Sequence, residues 1–323
     1  MEALLKVRDL KKHFPVKKGV FARHESLKAV DGVSLEVGEN RVFGIVGESG
    51  SGKSTLARVI LALTEPTSGD VLFQDRDVFS LDKSELKNFR RSVQIIFQDP
   101  FASLNPRRTV YDAIAEPLII HHLAGKKELK EKVLSLLGEV GLGPEVLSRY
   151  PHEFSGGQRQ RICIARALAV SPRLIIADEP LSALDVSIQA QILNILKELK
   201  DRTRISFIFI SHDLRVVEYF SDEVAVMYLG KIVEQAGAED LFREPLHPYT
   251  VGLFASAPAL KPGKSAREVP RGDVPSPIDI PPGCPFHTRC PRRFSPCDNI
   301  VPPFMASEKS KGRLVACHLW NPY

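Results

Sequence analysis

The chain has 323 residues, of which 43% are hydrophobic, enough apolar material for one large domain or for one large and one small domain. No run approaches the roughly 18 to 20 uncharged apolar residues of a membrane-spanning helix, which argues against an integral membrane protein and predicts a cytosolic chain. The net charge of +5 arises after residue 260, where ten Lys and Arg face five Asp and Glu; this diffuse excess is typical of a solvated surface, and no nucleic-acid partner is expected.

Short apolar runs predict buried strands of an α/β sheet, and they lie at residues 41–46, 93–97, 174–177 and 205–210. Between the last two runs, apolar residues from Ile188 to Leu199 recur at helical spacing. This order of strand, helix and strand predicts parallel strands joined by a right-handed crossover. Residues 222–235, with Leu229 and Gly230 in the middle, predict a β-hairpin.

A glycine-rich loop with the pattern G-x-x-x-x-G-K-S follows the first strand and opens a predicted helix, Thr55 to Leu63. Its glycines allow successive N–H groups to face an anion, and the helix N-terminus adds a partial positive charge. The alternative is a Gly/Ser surface loop, which the strand-to-helix setting disfavours. We therefore predict that Lys53 contacts the β- and γ-phosphates of a nucleotide and that Ser54 contacts Mg²⁺. The predicted ATP-binding residues of this loop are Gly47, Ser49, Gly50, Ser51, Gly52, Lys53, Ser54 and Thr55.

Two carboxylates, Asp178 and Glu179, end the apolar run at 174–177. Their burial would be costly without a cation. We predict that Asp178 holds Mg²⁺, directly or through water, and that Glu179 polarises the water that attacks the γ-phosphate. Taken alone, such a pair is more often a helix cap or a surface salt bridge. Its place downstream of a phosphate loop favours the catalytic interpretation.

A second glycine-rich turn, at residues 154–158, precedes a predicted helix from Gln158 to Ala169 and resembles the signature motif of ATP-binding-cassette (ABC) ATPases. A capped loop is the alternative interpretation. In that family the motif binds the γ-phosphate of the nucleotide held by the opposite subunit. The resemblance therefore implies that the following residues act in trans: Phe154, Ser155, Gly156, Gly157 and Gln158.

Shorter features fit the same family. The resemblance implies that Gln98 senses Mg²⁺ and the attacking water, that His212 holds the γ-phosphate, and that Asp185 lies in a loop crossing the dimer interface. The predicted catalytic residues are thus Glu179, His212 and Gln98, and the predicted Mg²⁺ ligands are Ser54, Gln98 and Asp178.

The family stacks adenine on an aromatic residue near the N-terminus, commonly tyrosine. This sequence has His13 followed by Phe14 at that place, and either ring could stack on the base. Both are predicted to bind ATP, and the choice between them stays open.

The ABC resemblance implies a P-loop α/β cassette with a mainly parallel sheet, an antiparallel β part, a helical signature subdomain at about 100–170 and a small Cys-bearing appendage. We assign residues 1–240 to the nucleotide-binding domain and 241–323 to a C-terminal extension. Residues 97–106 and 247–250 resemble the oligopeptide/dipeptide importers. The residues of the signature motif, at 154–158, resemble those of the second of the two ATPase subunits of these importers.

This resemblance implies ATP hydrolysis that energises the import of oligopeptides or dipeptides. It also implies a peripheral location on the cytoplasmic side of the cell membrane. The implied partners are a related ATPase subunit in a heterodimer, with a homodimer as the alternative for the isolated chain, two membrane permease subunits and an extracytoplasmic peptide-binding protein. The alternatives are an importer of another solute, such as nickel, or a soluble ABC ATPase of DNA repair or translation. Repair members carry a long coiled coil between the two glycine-rich motifs and translation members usually carry two cassettes, and neither feature is present. An iron–sulfur redox protein is a third class, disfavoured because the chain has no second redox motif.

Four cysteines cluster in the proline-rich tail: Cys284, Cys290, Cys297 and Cys317. Disulfides are disfavoured in a cytosolic chain, so a metal or a cluster is the expected staple. The spacing lacks the C-x₂-C pairs usual for zinc, and the resemblance implies a 4Fe-4S cluster. Zn²⁺ and free thiols remain alternatives, and His287 or His318 could replace one ligand. The segment is expected to be structural, so that loosening it spares the cassette. The fifth cysteine, Cys163, is expected to be a buried core residue.

Overall fold

The computed structural model describes residues 3–16, 25–256, 272–306 and 312–321. The strands are β1 (Ala3–Val16), β2 (Glu25–Gly38), β3 (Val42–Val46), β4 (Ser68–Phe73), β5 (Arg76–Asp77), β6 (Val93–Ile96), β7 (Leu174–Asp178), β8 (Ser206–Ile210), β9 (Glu223–Tyr228), β10 (Lys231–Gly237), β11 (Met305–Ala306) and β12 (Leu314–Val315). The α-helices are α1 (Lys53–Ile60), α2 (Lys83–Ser92), α3 (Pro100–Ser103), α4 (Val110–Ile120), α5 (Leu129–Glu139), α6 (Gly156–Leu168), α7 (Val186–Thr203), α8 (Leu214–Phe220), α9 (Ala238–Arg243) and α10 (Pro248–Ser256). Short 3-10 turns lie at Val78–Ser80, Pro144–Val146 and Pro151–Glu153.

The chain forms two compact units. The first comprises Gly38–Arg41 and Leu81–Ile210. The second comprises the described residues of Ala3–Val37, Val42–Ser80 and Ser211–Tyr323. The predicted domain boundary at residue 240 comes from the family resemblance, whereas these two units are defined by compactness. The boundary therefore stays a prediction.

The first unit is built on parallel strands in the order β8-β7-β6. Every residue of β7 and β8 is buried, because both faces of these apolar strands are covered. Helix α7 connects β7 to β8, which confirms the predicted strand, helix and strand. Its buried residues are Ile192, Leu193, Leu196 and Leu199, while Ile188 and Ile195 of the predicted stripe are only half-buried.

Helix α6 is the central helix of the first unit, where it packs against α3, α4, α5 and α7. It begins at Gly156, two residues before the predicted start, because Ser155 caps it. The Ser155 hydroxyl accepts from the Gln158 N–H at 3.3 Å, and the Gln158 side chain accepts from the Ser155 N–H at 3.1 Å. This reciprocal pair satisfies two donors that a helix start otherwise leaves without partners.

The second unit contains two sheets. One has the order β2-β1-β4-β5, with β4 antiparallel to both β1 and β5. It is the antiparallel β part that the resemblance implies, although the sequence patterns assigned none of its strands individually. In the other, β3 is parallel to β9, and β9-β10-β12-β11 continue in antiparallel order. The predicted hairpin is confirmed as β9 and β10, which turn at Leu229 and Gly230, both with positive φ. Helix α1 follows β3 and begins at Lys53, two residues before its predicted start.

An aromatic cluster joins the cysteine-bearing tail to the rest of the second unit. Phe286 is 1% exposed, and its ring centroid lies 5.5 Å from that of Tyr228 and 5.4 Å from that of Tyr249. His247 packs on the same ring, and burial lowers its pKa to about 3, so its imidazole is neutral. The tail is thus anchored by apolar packing as well as by the pairing of β12 with β10.

Within the described ranges, no helix combines the length and the apolar character that crossing a bilayer requires.

We expect Phe286→Ala to lower the free energy of unfolding by about 3–5 kcal/mol, because it removes a buried ring and leaves a cavity. Thermal or urea unfolding of the full chain measures the change. Phe294→Ala is the matched control in the same segment, since Phe294 is 41% exposed. Equal effects of the two substitutions would contradict the anchoring role of Phe286.

Candidate active site

The phosphate loop lies between β3 and α1 in the second unit. The Lys53 ammonium is buried and donates to the carbonyl oxygens of Gly47, at 2.8 Å, and Glu48, at 3.0 Å. The Ser51 hydroxyl lies 3.5 Å from the same nitrogen. The loop thereby wraps around the lysine that it is predicted to present to phosphates.

Gly52 cannot be replaced without moving backbone. Its φ is 106°, and a Cβ there would lie 2.0 Å from the carbonyl oxygen of Ala29 in β2. The positive φ and the close approach of strand β2 each require glycine at this position.

The residues predicted to stack on adenine, His13 and Phe14, lie near the end of β1 in the second unit. The His13 ring is 3.0 Å from a carboxylate oxygen of Asp31, which also pairs with Lys231 at 3.1 Å. Burial raises the pKa of Asp31, but Lys231 and His13 outweigh it, so that the net shift is downward and the carboxylate stays ionised. Phe14 is exposed, with the Lys12 ammonium 4.9 Å from its ring centroid. His13 is therefore the more firmly held of the two rings.

The predicted carboxylates end β7 in the first unit. Asp178 is buried, and Glu179 adopts φ of 50°, a conformation that residues other than glycine rarely adopt. The Glu179 N–H donates to the carbonyl oxygen of Ile210 at 2.9 Å. The Gln98 amide donates to the Glu179 carboxylate at 3.2 Å. Two predicted catalytic residues, Gln98 and Glu179, are thus brought together although 81 positions separate them in the sequence.

The signature turn packs closely on α7. A Cβ on Gly157 would lie 2.4 Å from Cγ2 of Ile188. Asp185 is exposed at the N-cap of α7, and its backbone carbonyl accepts from the N–H groups of Ile188 and Gln189. The signature turn and the loop of Asp185 therefore lie side by side in the first unit, and their predicted roles in trans stay predictions.

His212 belongs to the second unit, where it is exposed and directly precedes the N-cap of α8. The Asp213 carboxylate accepts from the Arg215 N–H at 3.0 Å and caps this helix. Partial burial raises the pKa of Asp213, but the hydrogen bonds from Arg215 lower it by more, so the net shift of the pKa is downward. The Ser211 N–H donates to the Ile45 carbonyl, which fixes the segment beside β3.

The four tail cysteines lie together in the second unit. The Cys284 N–H donates to the Cys297 carbonyl at 2.8 Å, and the pKa of the Cys317 thiol is raised mainly by burial and further by the nearness of the other three cysteines. Burial raises the pKa of Cys284 to about 11 and that of Cys317 to about 12. Across the described part of the chain, no group of three or more His, Cys, Asp or Glu side chains is placed to hold one metal ion. Neither the expected cluster nor the zinc alternative gains support from this.

Cys163 lies apart from these four, in α6 of the first unit, where it is 2% exposed. Burial raises its pKa to about 11. It is a core residue, as the sequence predicts.

Sequence reasoning missed the residues that hold Glu48 in the phosphate loop. Arg289 forms an ion pair with its carboxylate, and the Tyr249 hydroxyl accepts from its N–H. The pattern at residues 247–250 signalled a subfamily, but nothing in it indicates a contact with the phosphate loop.

The phosphate loop, the acidic strand end and the capped signature helix define an ATP-binding-cassette ATPase. A family model described as "ABC transporter" matches residues 30–182, and one described as "Oligopeptide/dipeptide transporter, C-terminal region" matches residues 233–297. A dimeric post-hydrolysis state of the ATP-binding cassette MJ0796 bound to ADP and Pi has a TM-score of 0.65 and 30% identity, covering 72% of this chain and 98% of that chain. The structure of cbiO1 from Clostridium perfringens, part of the ABC transporter complex cbiONQ, has a TM-score of 0.65 and 27% identity, covering 76% of this chain and 92% of that one.

Similar proteins extend the match to nearly the full length. The chain is 50% identical to the oligopeptide transport ATP-binding protein AppF of Bacillus subtilis (strain 168), over 99% of this chain and 98% of that protein. It is 47% identical to the dipeptide transport ATP-binding protein DppF of Escherichia coli (strain K12), over 98% of this chain and 94% of that protein. The chain belongs to the family of oligopeptide and dipeptide transport ATP-binding proteins of ABC transporters.

We expect Gly157→Ala to lower the free energy of unfolding by about 1–3 kcal/mol, because the added methyl group collides with Ile188. Adding Ile188→Ala should relieve part of the clash. Gly138→Ala in α5 is the matched control, because a Cβ there meets nothing within 4 Å, and we expect it to stabilise by about 0.5–1 kcal/mol. Chemical unfolding of the full chain tests the three variants, and a neutral Gly157→Ala would contradict the close packing.

Proposed function

We propose that the chain binds and hydrolyses ATP to energise the import of oligopeptides or dipeptides across the cytoplasmic membrane. The observation that carries this proposal is a buried Lys53 wrapped by a glycine-rich loop at the start of α1, in a chain about half identical over nearly its full length to proteins named for peptide transport. The match of residues 233–297 to the C-terminal region of oligopeptide/dipeptide transporters favours peptides over nickel or another small solute.

Each predicted residue receives a role from its local chemistry. Lys53 and the loop amides bind the β- and γ-phosphates, as a cation and N–H groups at a helix start do in P-loop ATPases. Ser54, Asp178 and Gln98 hold Mg²⁺ or its water. Glu179 acts as the general base toward the attacking water, and its hydrogen bond from Gln98 orients its carboxylate. His212 holds the γ-phosphate.

The signature residues contact a nucleotide bound to a second ATPase subunit, so that turnover requires a dimer. The dimer acts on two membrane permease subunits, and a separate extracytoplasmic protein delivers the peptide. ATP binding favours the closed dimer and hydrolysis favours the open one. This shift between the two dimer states is transmitted to the permease subunits. The chain itself is peripheral, on the cytoplasmic side of the membrane.

We expect Glu179→Gln to bind ATP with near wild-type affinity and to lose hydrolysis by at least about 10²-fold, because the amide cannot accept the proton of the attacking water. Lys53→Ala should instead weaken ATP binding itself. Binding is measured by titration of the full chain, and hydrolysis and uptake of labelled dipeptides and oligopeptides are measured in vesicles that contain the complete transporter.

Each outcome tests a separate part of the proposal. Wild-type turnover of Glu179→Gln would overturn the assignment of the general base. Unchanged ATP binding by Lys53→Ala would overturn the nucleotide site. Vesicles that take up nickel but no peptide, in an ATP-dependent manner, would replace peptide import with metal import.

We also propose that the tail cysteines hold a 4Fe-4S cluster, with a structural role. The support is their chemistry and their proximity, since Cys284, Cys290 and Cys297 lie near enough to Cys317 to add to the rise in its pKa that burial causes. In such a cluster the four thiolates bind different irons, so they need not converge on one point. Zn²⁺ would require them to surround a single ion tetrahedrally.

Anaerobic purification should give a brown protein with about four irons per chain. Cys290→Ser should lose the colour and become sensitive to protease after residue 260, because ligation supplies folding free energy to a small segment. Cys163→Ser is the control that keeps the iron, since Cys163 lies in the other unit. Stoichiometric zinc without iron would replace the cluster with a zinc site, and the absence of both metals would leave ordinary thiols.

A further inference from the structure

Glu48, the second residue of the phosphate loop, is held by two residues from the C-terminal part of the chain. The Arg289 guanidinium donates to both carboxylate oxygens, at 2.9 and 3.1 Å. The Glu48 N–H donates to the Tyr249 hydroxyl at 2.9 Å. We refer to Glu48, Tyr249 and Arg289 as the Glu48 clamp.

The clamp is firmly built. The Arg289 side chain is 8% exposed, its Nε donates to the Gly272 carbonyl at 3.2 Å, and it lies 5.9 Å from the ring centroids of Tyr228 and Phe286. Tyr249 is fully buried. Two parallel charge-assisted hydrogen bonds from a packed guanidinium fix the position of a carboxylate, as a mobile surface pair does not.

The same residue connects the clamp to the phosphate-binding lysine. The carbonyl oxygen of Glu48 accepts from the Lys53 ammonium at 3.0 Å. Tyr249 fixes the N–H of this residue and Arg289 fixes its side chain, so that its Cα is held from two sides and the range of positions open to its carbonyl is narrowed. The position of Lys53 therefore depends on residues far along the chain.

Charge gives Arg289 a second effect. A carboxylate in a loop that binds phosphates repels the ligand, and the repulsion is strong where water is partly excluded. Glu48 is 30% exposed, so solvent screens it incompletely. Arg289 neutralises this carboxylate beside the phosphate site.

We propose that Tyr249 and Arg289 are positioning residues for ATP, which act through Glu48 on the phosphate loop. The inference rests on the proposed function, since it assumes that the loop binds the phosphates of ATP. It also revises the expectation that loosening the tail spares the cassette, because Arg289 lies in the cysteine-bearing segment, next to Cys290.

The test is MgATP binding by the full chain. Arg289→Ala should raise the Kd by roughly tenfold or more, because it leaves an uncompensated Glu48 carboxylate beside the phosphates and releases the residue whose carbonyl holds Lys53. Arg289→Lys should recover only part of the affinity, since an ammonium cannot replace the planar fork. Tyr249→Phe should also weaken binding, because it removes the acceptor of the Glu48 N–H.

A double-mutant cycle separates the charge effect from general loss of structure. Glu48→Gln combined with Arg289→Ala should bind ATP several-fold more tightly than Arg289→Ala alone, because no uncompensated carboxylate remains. Measured with the complete transporter, the loss of ATP affinity should appear as a higher KM for ATP, while kcat at saturating ATP stays within about twofold of the wild-type value. Damage to the fold alone would not be relieved by the second substitution.

Arg293→Ala is the matched control. Arg293 pairs with Asp298 in the same segment, and both side chains are exposed to solvent. We expect its ATP affinity to equal that of the wild type. If Arg289→Ala unfolds, Arg289→Lys and Tyr249→Phe carry the test, since each removes one contact and keeps most of the packing.

ATP affinity within twofold of the wild type for both Arg289→Lys and Tyr249→Phe would overturn the proposal, as would a double variant no tighter than Arg289→Ala. Lys53→Ala, measured beside them, separates a failure of the clamp proposal from a failure of the proposed nucleotide site. If it abolishes binding while the clamp variants do not, only the clamp fails. If it also leaves binding unchanged, the nucleotide site itself is wrong.

Discussion

The close approach of three backbone segments at the phosphate loop is the constraint on which the second unit depends. The carbonyl of Ala29 in β2 occupies the space that a side chain on Gly52 would need. From the hairpin turn, the Gly230 N–H donates to the Ser51 carbonyl, and the Gly230 carbonyl accepts from the Asp31 N–H. The phosphate loop, strand β2 and the hairpin therefore form one hydrogen-bonded assembly, in which glycine is required because the backbones are so close.

The first unit meets a comparable constraint at Glu179. Its positive φ costs free energy for a residue with a side chain, and surrounding contacts maintain it. The N–H is bound to Ile210 in the neighbouring strand, and the carbonyl accepts from the Ser182 hydroxyl. The carboxylate is thereby directed to Gln98. The strained residue follows the last buried residue of the strand, so the acid that it carries is half-buried whereas Asp178 before it is buried.

Local patterns predicted those parts of the fold that local sequence determines. Continuous apolar runs became β3, β6, β7 and β8, because strands buried on both faces need no alternation. Strand β1 was missed, since Lys6, Arg8 and Lys11 interrupt its apolar residues and only four of its fourteen residues are buried. The phosphate loop was found because its spacing is diagnostic, whereas Arg289 lies 241 positions from Glu48. No sequence pattern around either residue indicates the contact, and only the folded chain brings the two together.

The environments of the five cysteines give the chain an uneven chemical reactivity. Nucleophilic attack requires the thiolate, and burial that raises the pKa of Cys163 to about 11 leaves almost none of it at neutral pH. Three of the tail cysteines are buried, and Cys290 is the most exposed of the five. A maleimide or an oxidant that reaches the folded apoprotein therefore meets Cys290 first, and a label attached there reports on the tail while the signature helix stays unmodified.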